Sequence, residues 1–244
     1  MNSKTLISIY FFIFIIINAN ANFIEYQLET KTYEGYYLKE HKRAPLVLII
    51  HDWDGLTEYE TLRAKMFSKN GYNVFALDMF GKGIRPIEIK DKKRLTGALY
   101  KDRNQMRKLI KKGLEVAKEK GLNIDNAAIV GYCFGGTSVL ETARAGEKLK
   151  AFISFHGGLT TPPKQNYKNV QGEILIFHGT TDKIVSMQDF ANLAIQLEKD
   201  NVRHEMLTYS NAPHAFTVFE SDRYRKEADQ RSWLRLLDYL NTLK

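Results

Sequence analysis

The chain has 244 residues, of which 44% are hydrophobic and 26% are charged, a composition that suits a globular protein with one sizeable core. The formal net charge is +8, but the basic residues are dispersed rather than gathered in a nucleic-acid-binding motif, so we expect no nucleic-acid partner. The histidines are not spaced like zinc ligands, and we expect neither a metal nor another cofactor.

The N-terminus has the features of a secretory signal peptide. Lys4 precedes an apolar run from Leu6 to Ile17, and Ala19-Asn20-Ala21 follows shortly after it. The run of about 12 residues is short of the ~20 that span a bilayer. We therefore predict a signal peptide over residues 1–21, export to the periplasm or the outside of the cell, and no stable membrane span after cleavage. An uncleaved membrane anchor is the alternative.

Strands and helices alternate along residues 22–244, which we expect to form one domain and a monomer. The hydrophobic pattern predicts a hairpin over 23–41, strands over 46–50, 73–77, 127–132, 151–155, 173–177 and 204–209, and helices over 59–70, 95–120, 137–145, 186–199 and 222–243. We expect the long helical region to break near Gly97 or Gly113, and the run 82–94 to be a mobile excursion near the site. This alternation predicts a mostly parallel α/β sheet with helices on both faces.

A glycine-rich turn contains the only cysteine of the chain. It lies between a predicted strand and a predicted helix and reads Gly131-Tyr132-Cys133-Phe134-Gly135-Gly136. A sharp strand-to-helix turn with glycine two places on either side of a nucleophile is the elbow layout of the α/β-hydrolases. In an exported protein, a lone cysteine is either a small buried apolar residue or a reactive thiol, and the elbow favours the thiol.

Two further polar residues follow predicted strands downstream of the elbow. Asp182 comes after the strand over 173–177, and His214 comes after the strand over 204–209. Since the order nucleophile, acid, histidine is that of the α/β-hydrolases, we predict a catalytic triad. His214 would take the proton of the Cys133 thiol, and Asp182 would orient the imidazole. Alternatively, Asp182 is a turn or helix-capping residue and His214 is a surface histidine.

The oxyanion of such a reaction requires backbone N–H donors. The amide of Phe134, directly after the nucleophile, is the first candidate. The second donor is expected in the loop after an earlier strand, where Trp53 is the best candidate.

Together these motifs resemble the dienelactone hydrolase family. The similarity spans positions 51–216 and rests on His51-Asp52-Trp53-Asp54-Gly55-Leu56, Ala76-Leu77-Asp78-Met79-Phe80-Gly81-Lys82-Gly83, the elbow, His178-Gly179 with Asp182, and His214-Ala215-Phe216. The resemblance implies an α/β-hydrolase fold and the hydrolysis of small esters or lactones. It also implies a triad of Cys133, Asp182 and His214, with oxyanion donors at Trp53 and Phe134.

The chain departs from the best-known members of that family at three positions. The resemblance implies a thiol-activating glutamate at the position that Asp52 occupies in this chain, and the side chain of Asp52 is one methylene shorter. The resemblance places an arginine that binds a substrate carboxylate at Val218, and a second one near Lys82, which keeps the charge but not the planar fork. We therefore expect Asp52 to activate the thiol, and Lys82 or Arg85 to anchor any substrate carboxylate.

The sequence thus predicts a hydrolase of small carboxylic esters or lactones that works through an acyl-thioester on Cys133. A non-catalytic small-molecule binding protein on a hydrolase scaffold is the alternative, because the altered carboxylate positions also fit a pocket that has lost its reaction. A thiol redox sensor ranks last, since the chain has no second cysteine to resolve an oxidised thiol.

Overall fold

The computed structural model describes residues 20–244, and an eight-stranded sheet runs through them. The strands are β1 (Asn20–Leu28), β2 (Lys31–Lys39), β3 (Pro45–Ile50), β4 (Asn73–Leu77), β5 (Asn123–Tyr132), β6 (Ala151–Phe155), β7 (Glu173–Gly179) and β8 (His204–Tyr209). The helices are α1 (Glu58–Lys69), α2 (Ile89–Lys101), α3 (Arg103–Glu119), α4 (Phe134–Arg144), α5 (Met187–Lys199) and α6 (Lys226–Asn241).

The sheet has the order β1-β2-β4-β3-β5-β6-β7-β8. The hairpin of β1 and β2 is antiparallel and joins β4 in antiparallel pairing, whereas β3 to β8 all run parallel. This topology confirms the predicted α/β-hydrolase fold with a mostly parallel sheet. Because these strands are parallel, their carboxyl ends lie at the same edge of the sheet. The loops after β3, β5, β7 and β8 therefore meet at that edge.

The central strands are apolar because helices cover both of their faces. Every residue of β3 is buried, which is the reason for its continuous apolar sequence. Leu46, Leu48 and Ile50 pack on the side that carries α3, α4 and α5. Val47 and Ile49 pack on the opposite side, against α1 and α6. Each such side chain contributes about 1.5–3 kcal/mol when it leaves water.

Three sequence-based expectations about the helices were wrong. The long helical region breaks at Asp102 rather than at a glycine, because the Asp102 carboxylate accepts the Gln105 N–H (2.9 Å) and starts α3. Residues 89–94 of the charged run belong to α2 rather than to an excursion. The last helix begins at Lys226, since Arg225 has an extended backbone with φ −126°.

The predicted signal peptide falls mainly on residues 1–19, which lie outside the described residues. Its last two residues, Asn20 and Ala21, pair with Lys39 and Leu38 at the start of β1. Within residues 20–244, none of the helices combines the length and the apolar character needed to cross a bilayer.

Candidate active site

The turn between β5 and α4 holds Cys133 in a strained backbone conformation. Its φ is +53° and its ψ is −111°, a combination that a non-glycine residue adopts only when its surroundings enforce it. The two flanking glycines allow the turn: a Cβ on Gly131 would lie 2.2 Å from the Gly135 carbonyl, and one on Gly135 would lie 2.2 Å from the Ile50 carbonyl oxygen. The elbow predicted from the glycine spacing is therefore present.

The structure brings Cys133, Asp182 and His214 together from three loops. The Cys133 Sγ lies 3.1 Å from His214 Nε2. On the other side of the ring, His214 Nδ1 lies 2.9 Å from Asp182 Oδ2. The spacing fits a relay in which His214 donates its Nδ1–H to the carboxylate and leaves Nε2 free to accept a proton from the thiol.

Asp182 is fixed by more than the histidine. Its Oδ1 accepts the amide hydrogens of Ile184 (2.8 Å) and Val185 (2.9 Å), so the carboxylate also stabilises the loop that contains it. Burial opposes ionisation, but these bonds and the one from His214 outweigh it and hold the pKa of Asp182 below its usual value. The residue is therefore an anion that can stabilise a charged imidazole.

The surroundings of Cys133 favour the neutral form of its thiol. Burial raises its pKa to about 12, and the neighbouring Asp52 carboxylate adds to the effect. The Phe134 amide lowers the pKa, as does the more distant Arg223, but these contributions are smaller. A thiol in this state becomes a nucleophile only when a base takes its proton, and His214 is in contact with it.

The two amides expected to hold an oxyanion border the same cavity. Phe134 is the first residue of α4, so its N–H has no partner within the helix. Trp53 follows Asp52 in the loop after β3, and among the described residues its N–H has no acceptor. The Trp53 ring is held in place by the Lys92 ammonium, which lies 5.3 Å from the ring centroid and pairs with Asp54.

The loop after β3 owes its shape to His51. Its Nε2 accepts the Met79 N–H (3.0 Å), which leaves the Nδ1–H to donate to the Asp52 carbonyl (2.6 Å). Burial lowers the pKa of His51 to about 4, so the ring is neutral and keeps this tautomer. His51 thus joins the ends of β3 and β4 and positions Asp52 and Trp53 at the cavity.

Asp52 lines the cavity that contains the Cys133 thiol, and Glu60 lies behind Asp52. Burial, with a contribution from Asp54, raises the pKa of Asp52 to about 6. Glu60 is completely buried in α1, and burial together with the Asp52 charge raises its pKa to about 8. The site therefore contains two buried carboxyl groups with raised pKa values, and that of Asp52 lines the cavity together with Cys133.

The cavity at the triad has a volume of about 240 Å³. Its walls are mainly apolar and come from the loops and from α2; they are formed by Asp52, Trp53, Asp54, Thr96, Tyr100, Cys133, Phe134, Ile184, His214, Ala215, Val218 and Arg223. A space of this size suits a small organic molecule. In the described part of the chain, no group of histidine, cysteine or acidic side chains is arranged to hold a metal ion.

The two basic residues expected to anchor a carboxylate do not line this cavity. Lys82 is exposed and pairs with Glu25 on β1. Arg85 donates to the carbonyls of Leu56 and Ile84 and lies 3.8 Å from Glu34, so its guanidinium is engaged with other parts of the protein.

Arg223 lines the cavity and was missed by the sequence reasoning. It lies nine residues beyond His214, in the turn before α6, and its side chain is exposed. Within residues 20–244 it forms neither a hydrogen bond nor an ion pair, in contrast to Lys92 and Arg85. The sequence offers no signal for it, since Arg223 belongs to a charged turn with no recognisable motif.

The comparison with known protein families decides the assignment. The model of the dienelactone hydrolase family matches residues 34–244. The chain belongs to this family. Among its dienelactone hydrolase relatives is a Synechocystis sp. protein named as a carboxymethylenebutenolidase, which is 24% identical over 218 residues (81% of this chain and 86% of the relative). A Bradyrhizobium sp. protein named as a 2-oxo-3-(5-oxofuran-2-ylidene)propanoate lactonase is 23% identical over 208 residues (81% and 84%).

Solved structures give the same fold for this dienelactone hydrolase family member. A dienelactone hydrolase-like promiscuous phosphotriesterase from metagenomic libraries superposes with a TM-score of 0.84 at 24% identity, covering 93% of this chain and 99% of the other. A dienelactone hydrolase homologue from Klebsiella pneumoniae gives a TM-score of 0.77 at 18% identity (91% and 98%). At this identity the likeness establishes the fold.

Proposed function

We propose that the protein hydrolyses small carboxylic esters or lactones with Cys133 as nucleophile. The observation that carries the proposal is the continuous contact from the Cys133 sulfur through His214 to Asp182 at one wall of a cavity of about 240 Å³. Family membership supports hydrolysis, and the names of the relatives, carboxymethylenebutenolidase and lactonase, support a lactone as the substrate.

The first half of the reaction forms an acyl-enzyme. As the sulfur of Cys133 attacks the carbonyl carbon, its proton passes to His214 Nε2, and the carbonyl oxygen becomes an oxyanion between the amides of Trp53 and Phe134. The ester C–O bond then breaks, and the leaving oxygen takes the proton from His214. A thioester on Cys133 remains; for a lactone, the released hydroxyl or enol stays attached to the acyl group.

The second half releases the acid. His214 accepts a proton from a water molecule whose oxygen attacks the thioester carbon. The C–S bond breaks, and the sulfur of Cys133 regains the proton from His214. Asp182 stabilises the imidazolium in both halves and stays ionised throughout.

The proposal is tested with the Cys133→Ala variant. We expect turnover of p-nitrophenyl acetate and of simple enol lactones to fall by about a thousandfold or more, since removal of a nucleophile leaves only binding and oxyanion stabilisation. Circular dichroism and the thermal midpoint should match those of the wild type, because a methyl group replaces a small side chain. Undiminished turnover in the variant would refute the mechanism.

A second measurement separates the enzyme from the non-catalytic alternative. Iodoacetamide should label Cys133 once per chain and abolish ester turnover in parallel. Complete labelling of a protein that turns over no ester or lactone would instead favour a binding protein on this scaffold.

A further inference from the structure

A second histidine, His156, lies directly behind the triad and takes no part in the proposed proton transfers. It follows β6 and is 1% exposed. Its ring lies edge-on to that of His214, with 5.4 Å between the centroids. His156 therefore contacts the catalytic base without lining the cavity.

Both ring nitrogens of His156 are hydrogen-bonded, and each bond reaches a different part of the triad. The Cys133 N–H donates to Nδ1 (3.2 Å) in addition to its bond to the Phe155 carbonyl (3.0 Å). Because Nδ1 accepts, the proton must be on Nε2, which lies 2.8 Å from the hydroxyl oxygen of Thr217. Thr217 is three residues after His214, so one imidazole joins the elbow to the histidine loop.

Two residues of α1 fix the position of Thr217. Its hydroxyl oxygen lies 2.7 Å from the Tyr59 hydroxyl oxygen on α1. Its carbonyl accepts a hydrogen bond from Arg63 Nη2 (2.8 Å), and the same guanidinium is paired with Asp229 of α6. The bridge from Cys133 through His156 to Thr217 thus ends on a buried ion pair between two helices.

Each of the segments joined by this bridge contains a non-glycine residue with a positive φ. Cys133 has a φ of +53°, His156 of +39° and Ala215, directly after His214, of +62°. Non-glycine residues in this region are strained and persist only where their surroundings enforce them. The two hydrogen bonds of His156 connect all three segments and supply such enforcement.

We infer that His156 and Thr217 are positioning residues that hold the Cys133 sulfur against His214 Nε2 by joining the elbow to the histidine loop. The inference rests on the proposed function and deepens it. The bridge does not touch the substrate, so it acts on the rate of proton transfer from the thiol rather than on binding. Burial lowers the pKa of His156 well below its usual value, which keeps the ring in the neutral form that the bridge requires.

The test uses Thr217→Val, which replaces the hydroxyl by a methyl of similar size, and Thr217→Ser, which retains the hydroxyl. We expect kcat for p-nitrophenyl acetate to fall about ten- to a hundredfold in Thr217→Val with KM changed less than about twofold, because a small misplacement of reacting groups is enough for such a loss. Thr217→Ser should retain at least about half of the wild-type kcat.

Thr142→Val is the matched control. Thr142 is a buried threonine of α4 whose hydroxyl bonds to the Ser138 carbonyl (2.8 Å), away from the triad. We expect its kcat to equal that of the wild type. The inference would be overturned if the kcat of Thr217→Val stayed within about twofold of the wild type. It would also be overturned if Thr217→Ser and Thr142→Val lost as much kcat as Thr217→Val.

A double variant distinguishes one bridge from two separate effects. If His156 and Thr217 act as a unit, the variant with both His156→Phe and Thr217→Val loses no more kcat than the worse single variant. Losses that multiply would contradict a common bridge. Thermal midpoints of all variants show whether each remains folded at the assay temperature.

The rate at which iodoacetamide alkylates Cys133 at pH 7 is a measurement that does not depend on ester turnover. We expect it to fall about tenfold in Thr217→Val and to be unchanged in Thr142→Val. If the wild type turns over no ester but alkylation still shows this difference, the proposed function fails and the inference stands. If turnover is present and neither kcat nor alkylation responds, the function stands and the inference fails.

Discussion

Asp52 and Glu60 place two buried carboxyl groups in the same part of the site. The Asp52 amide lies 3.4 Å from Glu60 Oε1, and both side chains are almost without contact with solvent. Burial is the main cause that raises both pKa values; the charge of Asp54 adds to it for Asp52, and the charge of Asp52 adds to it for Glu60. Such an arrangement is typical of functional sites, where stability is given up for chemistry.

This pair predicts a particular dependence of stability on pH. The folded state keeps protons that the unfolded chain releases near pH 4, with a pKa of about 6 for Asp52 and about 8 for Glu60. The contribution of the pair to the free energy of unfolding is therefore greatest below pH 4 and is lost as pH rises to 8. Asp52→Asn should gain stability relative to the wild type between pH 5 and pH 8, as measured by urea unfolding.

Asp189→Asn is the control for this measurement. Asp189 is a capping residue of α5, and hydrogen bonds from Ser186 hold its pKa below the usual value, so its effect on stability has the opposite sign. We expect this variant to lose stability relative to the wild type. A difference between Asp52→Asn and the wild type that stays constant from pH 5 to pH 8 would contradict the assignment of the pair.

Arg223 predicts a preference among substrates. As a cation of the cavity wall without a partner in the described chain, it can meet a substrate carboxylate with charge-assisted hydrogen bonds of about 1.5–3 kcal/mol. We expect Arg223→Gln to raise KM about tenfold or more for a lactone that carries a carboxylate, and to change KM little for neutral p-nitrophenyl acetate. Arg231→Gln, on the exposed face of α6, should change KM for neither substrate. Equal KM shifts for both substrates in Arg223→Gln would contradict a role of Arg223 in binding the carboxylate.

At the scale of elements, the elbow depends on close packing of backbone against backbone. The start of α4 passes so near the end of β3 that position 135 has no room for a side chain. The glycines of the motif are therefore structural requirements of the turn that exposes Cys133, in addition to being its sequence signature.

Gly135→Ala and Gly97→Ala form a matched pair that tests this requirement. A Cβ at position 135 would lie 2.2 Å from the Ile50 carbonyl oxygen, whereas one at position 97 in α2 would meet no atom of residues 20–244 within 4 Å beyond the adjacent helix backbone. We expect Gly135→Ala to lower the free energy of unfolding by about 3 kcal/mol or more. Gly97→Ala should raise it by about 0.5–1 kcal/mol, because alanine favours the helix. Equal effects in chemical denaturation would show that the elbow tolerates a side chain.

At the scale of the whole molecule, we propose that residues 1–21 direct export and are then removed. Loss of Asn20 and Ala21 shortens β1 by two residues but leaves its pairing with β2 from Asn22 opposite Tyr37 to Leu28 opposite Lys31. Intact mass should show a mature chain that starts at Asn22. Ala21→Lys should block cleavage, whereas Asn20→Lys, at the variable position of the Ala-x-Ala site, should not. An exported wild-type protein that retains Met1 would refute the cleavage.

The architecture of the sheet was largely readable from local patterns. Continuous apolar runs such as residues 46–50 and 151–155 predict strands buried on both faces, and the structure has them as β3 and β6. The break of the long helical region was not readable in the same way. Gly97 and Gly113 are tolerated inside helices, and Gly113 packs against Leu77, whereas the capping carboxylate of Asp102 decides where α3 begins.

The sequence by itself determined the fold class, the family and the three residues that meet at the sheet edge, because each of these follows from periodicity or from a motif confined to a few neighbouring residues. Only the tertiary structure decided what surrounds those residues. Arg223 reaches the cavity and Lys82 does not, and His156 meets both Cys133 and Thr217, because chain segments far apart in sequence are brought into contact by packing. Side-chain partners of this kind depend on distances in space, which spacing along the chain does not encode.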